Sequence, residues 1–113
     1  MTKRRAESLL REWQTALRLQ DWKVKLEIVA GSTDLAKKDG DIVAQPRSFF
    51  AHIRADGNQT DADLEETFVH ELVHVVLSGM CFEAQRPGIW LAEEEAVYRL
   101  TQCIVELVRK ARN

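Results

Sequence analysis

The sequence predicts a small α+β domain with an N-terminal helix, a two- to three-stranded sheet, a central helix and a C-terminal helix that begins with glutamates. Two observations support this order. Apolar residues recur at helical spacing near both ends of the chain, and they alternate with polar residues in its first half. A chain of 113 residues can bury one compact core, so we interpret residues 1–113 as a single domain.

The first two elements follow directly from hydrophobic periodicity. Residues 3–19 are expected to form an amphipathic helix with one apolar stripe, made of Ala6, Leu9, Leu10, Trp13 and Leu17. A half-buried strand then spans residues 22–28, where apolar and charged residues alternate: Trp22, Val24, Leu26 and Ile28 against Lys23, Lys25 and Glu27. The polar stretch 30–41 is typical of a loop.

Two further strands are predicted before the central helix. Residues 42–44 form a short one, and residues 47–54 form a longer one with alternating faces. Phe49, Ala51 and Ile53 share one face of this strand, and Phe50, His52 and Arg54 share the other. A turn at 56–58 follows, because Asp-Gly-Asn favours a reversal of the chain.

Two helices complete the predicted fold. The central helix is expected to begin at Thr60 or Asp61, either of which can cap it, and to end at Gly79. Residues 80–88 would connect it to the last helix, at 89–109.

Composition excludes several classes of function. Sixteen basic and eighteen acidic residues give a net charge of −2, which argues against a general nucleic-acid or membrane-surface binder. The chain has no apolar run of about 18 residues and no apolar signal core, so we expect a cytoplasmic protein. Cys81 and Cys103 should remain thiols there. Cys103 is expected to pack on the apolar face of the last helix, and Cys81 could approach a metal but is not counted as a ligand.

The chemistry concentrates in the central helix, which contains the motif His70-Glu71-x-x-His74 within an apolar segment. Residues four apart lie on one helix face, so the two imidazoles can bind one ion, and neutral imidazoles suit zinc. Glu71 is placed to accept a proton from a metal-bound water. The motif therefore predicts one Zn²⁺ per chain.

A catalytic zinc needs a third protein ligand, and Glu93, Glu94 and Glu95 are the candidates. Helical steps from Glu93 reach an apolar row, namely Val97, Leu100, Ile104 and Leu107. A carboxylate at the head of a buried row needs a cation or strong donors. We therefore choose Glu93, with Glu94 as the second candidate. An acidic first turn favoured by the helix dipole also accounts for Glu94 and Glu95.

The pattern His-Glu-x-x-His, eighteen residues, then a helical glutamate resembles gluzincin zinc metallopeptidases. The order of elements along nearly the whole chain is similar to the smallest of them, the minigluzincins and small phage-type metallopeptidases. The resemblance implies a zincin-like fold and hydrolysis of a peptide or protein substrate. It makes His70, His74 and Glu93 the zinc ligands and Glu71 the general base.

The resemblance leaves two functions unassigned. The oxyanion of the reaction needs a hydrogen-bond donor. Tyr98 points away from Glu93, so the preferred candidate is His52. In such a fold, the strand that contains His52 borders the cleft and pairs with the substrate. Phe49 or Phe50 would line a subsite. Many gluzincins also have Asp or Asn four residues after the third ligand, where this chain has Val97. Another residue must then orient a ligand histidine, with three candidates, Glu66, Thr67 and Thr101, or activity is reduced.

Two alternatives to an active peptidase remain open on the sequence. One is a zinc-stabilised binding or structural protein, of a kind that phages encode, which cleaves nothing. The other is a metal-free α+β domain whose histidines are satisfied within the core.

Overall fold

The computed structural model describes residues 1–30, 39–81 and 87–112, with side chains except at 79–81 and 87–91. These residues form a small α+β domain of three helices and a three-stranded mixed sheet. In chain order the elements are α1 (Lys3–Ala16), β1 (Lys23–Val29), β2 (Gly40–Gln45), β3 (Phe50–Asp56), α2 (Asp61–Cys81) and α3 (Pro87–Arg112). A single 3₁₀ turn, Pro46–Ser48, joins β2 to β3. None of the described helices is long and apolar enough to cross a membrane.

The sheet has the order β1-β3-β2, with β3 in the centre. β3 runs parallel to β1, where Leu26 is level with Ile53, and antiparallel to β2, where Ile42 is level with Ile53. The alternation predicted for β3 is confirmed, because Ala51 and Ile53 are fully buried while His52 lies on the opposite face. The strand itself begins at Phe50, three residues later than predicted, because Pro46 starts the 3₁₀ turn.

The core lies between the inner face of the sheet and the helices. α2 contacts β2, β3, α1 and α3, so it is the central helix of the packing. The stripe predicted for α1 is confirmed: Ala6, Leu9, Leu10 and Trp13 are buried, and Leu17 packs at the edge of the core. The apolar residues of β1 also face inward as predicted, with Val24 and Leu26 buried and Trp22 and Ile28 partly so.

One polar network ties the two ends of the chain to α2. Trp13 Nε1 donates a hydrogen bond to Glu65 at 2.8 Å. Arg112 donates two to the same carboxylate, each at 3.0 Å. The pKa of Glu65 is lowered, chiefly because Arg112 donates hydrogen bonds to its ionised form; burial opposes that effect, and the Trp13 bond adds to it. Glu65 therefore joins α1, α2 and the last turn of α3.

The helix ends differ from the predicted bounds. α1 stops at Ala16 rather than residue 19, since Arg18 has a left-handed backbone (φ 61°) that ends helical hydrogen bonding. α2 begins at Asp61 as predicted, and the Thr60 hydroxyl accepts a hydrogen bond from the Asp63 amide at 3.2 Å. α2 continues through Gly79 to Cys81, and α3 already begins at Pro87. Of the loop predicted at 30–41, residues 31–38 lie outside the described residues, as does most of the connection predicted at 80–88. β2 begins at Gly40 and ends at Gln45, so it is longer than the strand predicted at 42–44.

The buried face of α3 matches the predicted apolar row only in part: Val97 is buried and Ile104 packs against the core, as predicted. Val97, Thr101 and Val105, spaced four apart, are buried, whereas Leu100 is 44% exposed and Leu107 is 62% exposed. The apolar residues of α3 cover about half of its circumference, and α2, the helix against which α3 packs, covers only part of that arc. Cys103 is also exposed, so its predicted packing role is wrong.

Candidate metal centre

A cleft of about 770 Å³ opens between β2, α2 and α3. α2 and α3 each contribute a polar row to its lining, and β2 forms the opposite wall. Gly40 allows this close approach: a Cβ there would lie 2.7 Å from Thr67 Cγ2 and 2.9 Å from the Arg54 carbonyl oxygen. The edge of the sheet can therefore lie directly against the polar face of α2.

The two histidines of the motif line this cleft together, as their spacing predicts. The rings of His70 and His74 have centroids 5.1 Å apart and are half-buried. Burial lowers the pKa of His70, and the charge of His74 lowers it further. The neutral imidazole, the form that binds metals, is thereby favoured at His70.

The third member of the cluster is Glu94. One ligand atom from each of His70, His74 and Glu94 lies within 4.8 Å of the others. Glu94 Oε1 is 2.5 Å from His74 Nε2, and Glu94 Oε2 is 3.8 Å from His70 Nε2. Ligand atoms around a tetrahedral zinc stand about 3.4 Å apart, since each bond is about 2.0–2.1 Å long. Modest side-chain rotation would bring this set to that spacing.

Glu93, the preferred ligand on the sequence, contacts the other side of His74. Its Oε1 lies 2.9 Å from His74 Nδ1, while Glu94 approaches Nε2. A carboxylate on the outer nitrogen of a ligand imidazole fixes the ring orientation and keeps the proton on that nitrogen. If His74 bound an ion through Nε2, Glu93 would hold this orienting position, because Glu94 lies on the side of Nε2 of both histidines.

Glu71 is 5% exposed and lines the same cleft. Its Oε1 lies 4.0 Å from His70 Nε2, the atom that would face an ion. A buried carboxylate beside a metal site can accept a proton from a molecule held there.

Three other residues considered as orienting groups have different contacts. Glu66 accepts a hydrogen bond from Gln102 across the cleft, and Thr67 donates one to Gln59 at 2.8 Å. Thr101 Oγ1 is buried and has no hydrogen-bond partner among the described residues. Thr101 is also one of the residues that line the cleft, so this buried polar group lies beside the site.

The structure does not bring His52 to the cleft. It lies on the outer face of the sheet, where its Nε2 is 3.3 Å from Glu27 on β1. β3 is also flanked on both sides by strands, so the strand expected to pair with a substrate has no free edge. β2 is the edge strand at the cleft. The other oxyanion candidate, Tyr98, does line it: Tyr98 is one turn after Glu94, which places both on one face of α3.

Phe49 and Phe50 do not line the cleft either. Phe49 has a left-handed backbone (φ 52°) and is half exposed. Its ring meets that of Trp22 edge to face, with centroids 5.7 Å apart. The side chain of Cys81 lies outside the described part of the structure.

No protein-family model, no curated protein and no solved structure matches this chain.

Proposed function

We propose that this chain is a zinc-dependent peptidase with a zincin-like site. His70, His74 and Glu94 would hold the ion, Glu93 would orient His74, and Glu71 would act as general base. The observation that carries the proposal is the meeting of both motif histidines, one α3 carboxylate and a buried glutamate at one cleft. The ligand types suit zinc: two imidazoles and one carboxylate are a set found in catalytic sites that keep a fourth position for water.

The zinc would supply a water of lowered pKa and polarise a substrate carbonyl. Glu71 would take the proton of that water and pass it to the amine that leaves. Tyr98, 61% exposed at the cleft, is the side chain best placed on α3 to donate a hydrogen bond to the oxyanion. An extended peptide would pair with β2, which among the described strands lies at the edge of the sheet beside the cleft.

The charge of the cleft favours basic substrates. Seven carboxylates are among its lining residues, namely Asp39, Asp41, Asp63, Glu66, Glu71, Glu93 and Glu94, and no lysine or arginine is among the described ones. Arg54 pairs with Asp41, and one zinc ion would offset two more of these charges. The remaining negative potential would attract peptides with Lys or Arg near the scissile bond.

The experiment compares the wild type with Glu71→Gln, each loaded with zinc and incubated with a peptide library read by mass spectrometry. We expect Glu71→Gln to keep one zinc and to lose cleavage by at least about a thousandfold, since the base is removed while the ligands remain. Among cleaved peptides, we expect basic ones to dominate and their preference to weaken at high salt.

A zinc-loaded wild type that cleaves nothing in this library would instead support the alternative of a metal-stabilised binding protein. Cleavage that survives in Glu71→Gln would contradict the proposed mechanism, because another group would then activate the water.

A further inference from the structure

α3 exposes an apolar row on the side that does not face the cleft. Its members are spaced four, three and four residues apart: Ala96, Leu100, Cys103 and Leu107, which we call the exposed α3 stripe. This spacing is that of a coiled-coil seam, in which alternating steps of three and four keep apolar residues against a partner helix. The four exposed residues form one contiguous apolar patch along the helix, and contiguous apolar patches mark association surfaces more often than single exposed residues do.

A charged row flanks the stripe on its solvent side. It consists of Glu95, Arg99, Glu106 and Lys110, whose side chains are 67–75% exposed. Within the helix, Arg99 lies 2.9 Å from Glu95, and Lys110 lies 3.4 Å from Glu106. Along the chain the signs therefore read negative, positive, negative, positive.

When this row of charges is laid against a reversed copy of itself, each residue meets one of opposite charge. If a second α3 lies antiparallel, Arg99 faces Glu106 of the second copy, and Glu95 faces Lys110 of the second copy. Each contact occurs twice because a two-fold axis relates the copies. A parallel pair would place equal charges at equal heights and would gain none of these contacts.

The same antiparallel arrangement also fits the apolar residues. It sets Leu100 level with Cys103 of the second copy, and Ala96 level with Leu107 of the second copy, so that a large side chain meets a smaller one in every layer. In this register Arg99 lies two residues, about 3 Å, from the height of Glu106 of the second copy, an offset that long charged side chains span. From this double self-complementarity we infer that the exposed α3 stripe is the interface of an antiparallel homodimer.

The dimer would leave the cleft open. Cys103 follows Glu94 by nine residues, which is half a revolution around the helix, so the stripe and the cleft lie on opposite sides of α3. The inference therefore does not depend on the proposed metal or on peptidase activity. The stripe spans about 17 Å, so the interface is small, and we expect a dissociation constant in the micromolar range.

Sedimentation equilibrium of the full chain tests the inference with two charge variants. Arg99→Glu would set two carboxylates against each other in both halves of the dimer, because position 99 faces Glu106 of the second copy. Glu106→Arg would likewise set two guanidinium groups against each other, because position 106 faces Arg99 of the second copy. We expect each variant alone to dimerise at least about tenfold more weakly than the wild type, because two attractive pairs become repulsive. An equimolar mixture should recover dimers of near wild-type affinity, since every cross pair is then opposite in charge.

Circular dichroism and melting curves control for folding, and both substituted side chains are on the surface. Even weak interfaces associate at about millimolar concentration. A wild type that stays monomeric up to that concentration would therefore overturn the inference. So would single variants that dimerise as well as the wild type. A mixture that stays as weak as its components would exclude the antiparallel register.

Discussion

Glu93 and Glu94 contact opposite ring nitrogens of one imidazole: Glu93 approaches Nδ1 of His74 and Glu94 approaches Nε2. Neighbouring helical residues point about 100° apart, so they rarely serve the same group. Here they enclose His74 from two sides. The two carboxylates that the sequence offered as alternatives therefore differ in position, because Glu94 also lies 3.8 Å from Nε2 of His70.

His52 provides a test of the sheet topology. We expect His52→Gln to retain full zinc binding and to change any peptidase activity by less than about twofold, since the imidazole lies on the outer face of the sheet beside Glu27. Tyr98→Phe is the matched variant, and its activity should fall by about a hundredfold while its zinc content stays unchanged. The measurement is the rate on a peptide that the wild type cleaves. A hundredfold loss in His52→Gln would show that the cleft is assigned to the wrong face.

The protein should be more stable when residue 101 lacks the threonine hydroxyl. Its Oγ1 is buried and has no partner among the described residues, so Thr101→Val, which keeps the shape, should raise the free energy of unfolding by about 1 kcal/mol in the apo protein. Urea denaturation measures the change. Thr67→Val is the control, because its hydroxyl does donate to Gln59 and its removal should destabilise the protein by a similar amount. If Thr101→Val proves clearly destabilising, the hydroxyl has a partner, such as a bound water.

The contacts of Glu65 predict a loss of stability in acid. Its pKa is lowered in the folded state, so the folded protein binds fewer protons than the unfolded chain. The stability that the ionised Glu65 contributes is complete above pH 4.5, the ordinary pKa of the group. It is lost as the pH falls from there through the pKa of the folded state. Glu65→Gln should lower the free energy of unfolding by about 1–2 kcal/mol at pH 7. It should also make the fall of the free energy of unfolding below pH 4.5 less steep.

Denaturation curves from pH 7 to pH 3, with tryptophan fluorescence as the signal, measure this effect. Glu12→Gln is the control, because Glu12 lies on the surface 3.7 Å from Arg5 and such pairs contribute little. An equal acid response in the wild type and Glu65→Gln would mean that other carboxylates govern the decline.

Local patterns predicted most of the fold. In β1, β3 and α1 one face is buried, and burial of one face produces a regular spacing of apolar residues. The spacing in the sequence therefore predicted these elements. The start of α2 followed from a capping residue. By contrast, the buried face of α3 was predicted only in part, because the apolar arc of this helix is wider than the surface that α2 covers, and nothing in the sequence indicates which half is covered.

The part of the site that lies on one helix was predictable from the sequence, and the part that depends on packing between elements was not. His70, Glu71 and His74 meet at one cleft because a single helix carries them. Glu93 and Glu94 depend on how α3 rotates against α2, which packing decides. The buried row Val97, Thr101 and Val105, extended back by one more step of four, reaches Glu93, so this row alone would not have singled out Glu94. The position of His52 depended on strand order, and a sequence pattern does not reveal that β3 is central.

The most direct test is the zinc content of the natively purified chain, measured by elemental mass spectrometry for the wild type, Glu94→Gln and Glu93→Gln. We predict about one zinc per wild-type chain and almost none in Glu94→Gln, because a ligand is lost. Glu93→Gln should still bind zinc, about 10- to 100-fold more weakly, as expected for a group that orients a ligand. A wild type that takes up no zinc even when it is supplied would contradict the metal centre. Full occupancy in Glu94→Gln with loss in Glu93→Gln would instead make Glu93 the third ligand.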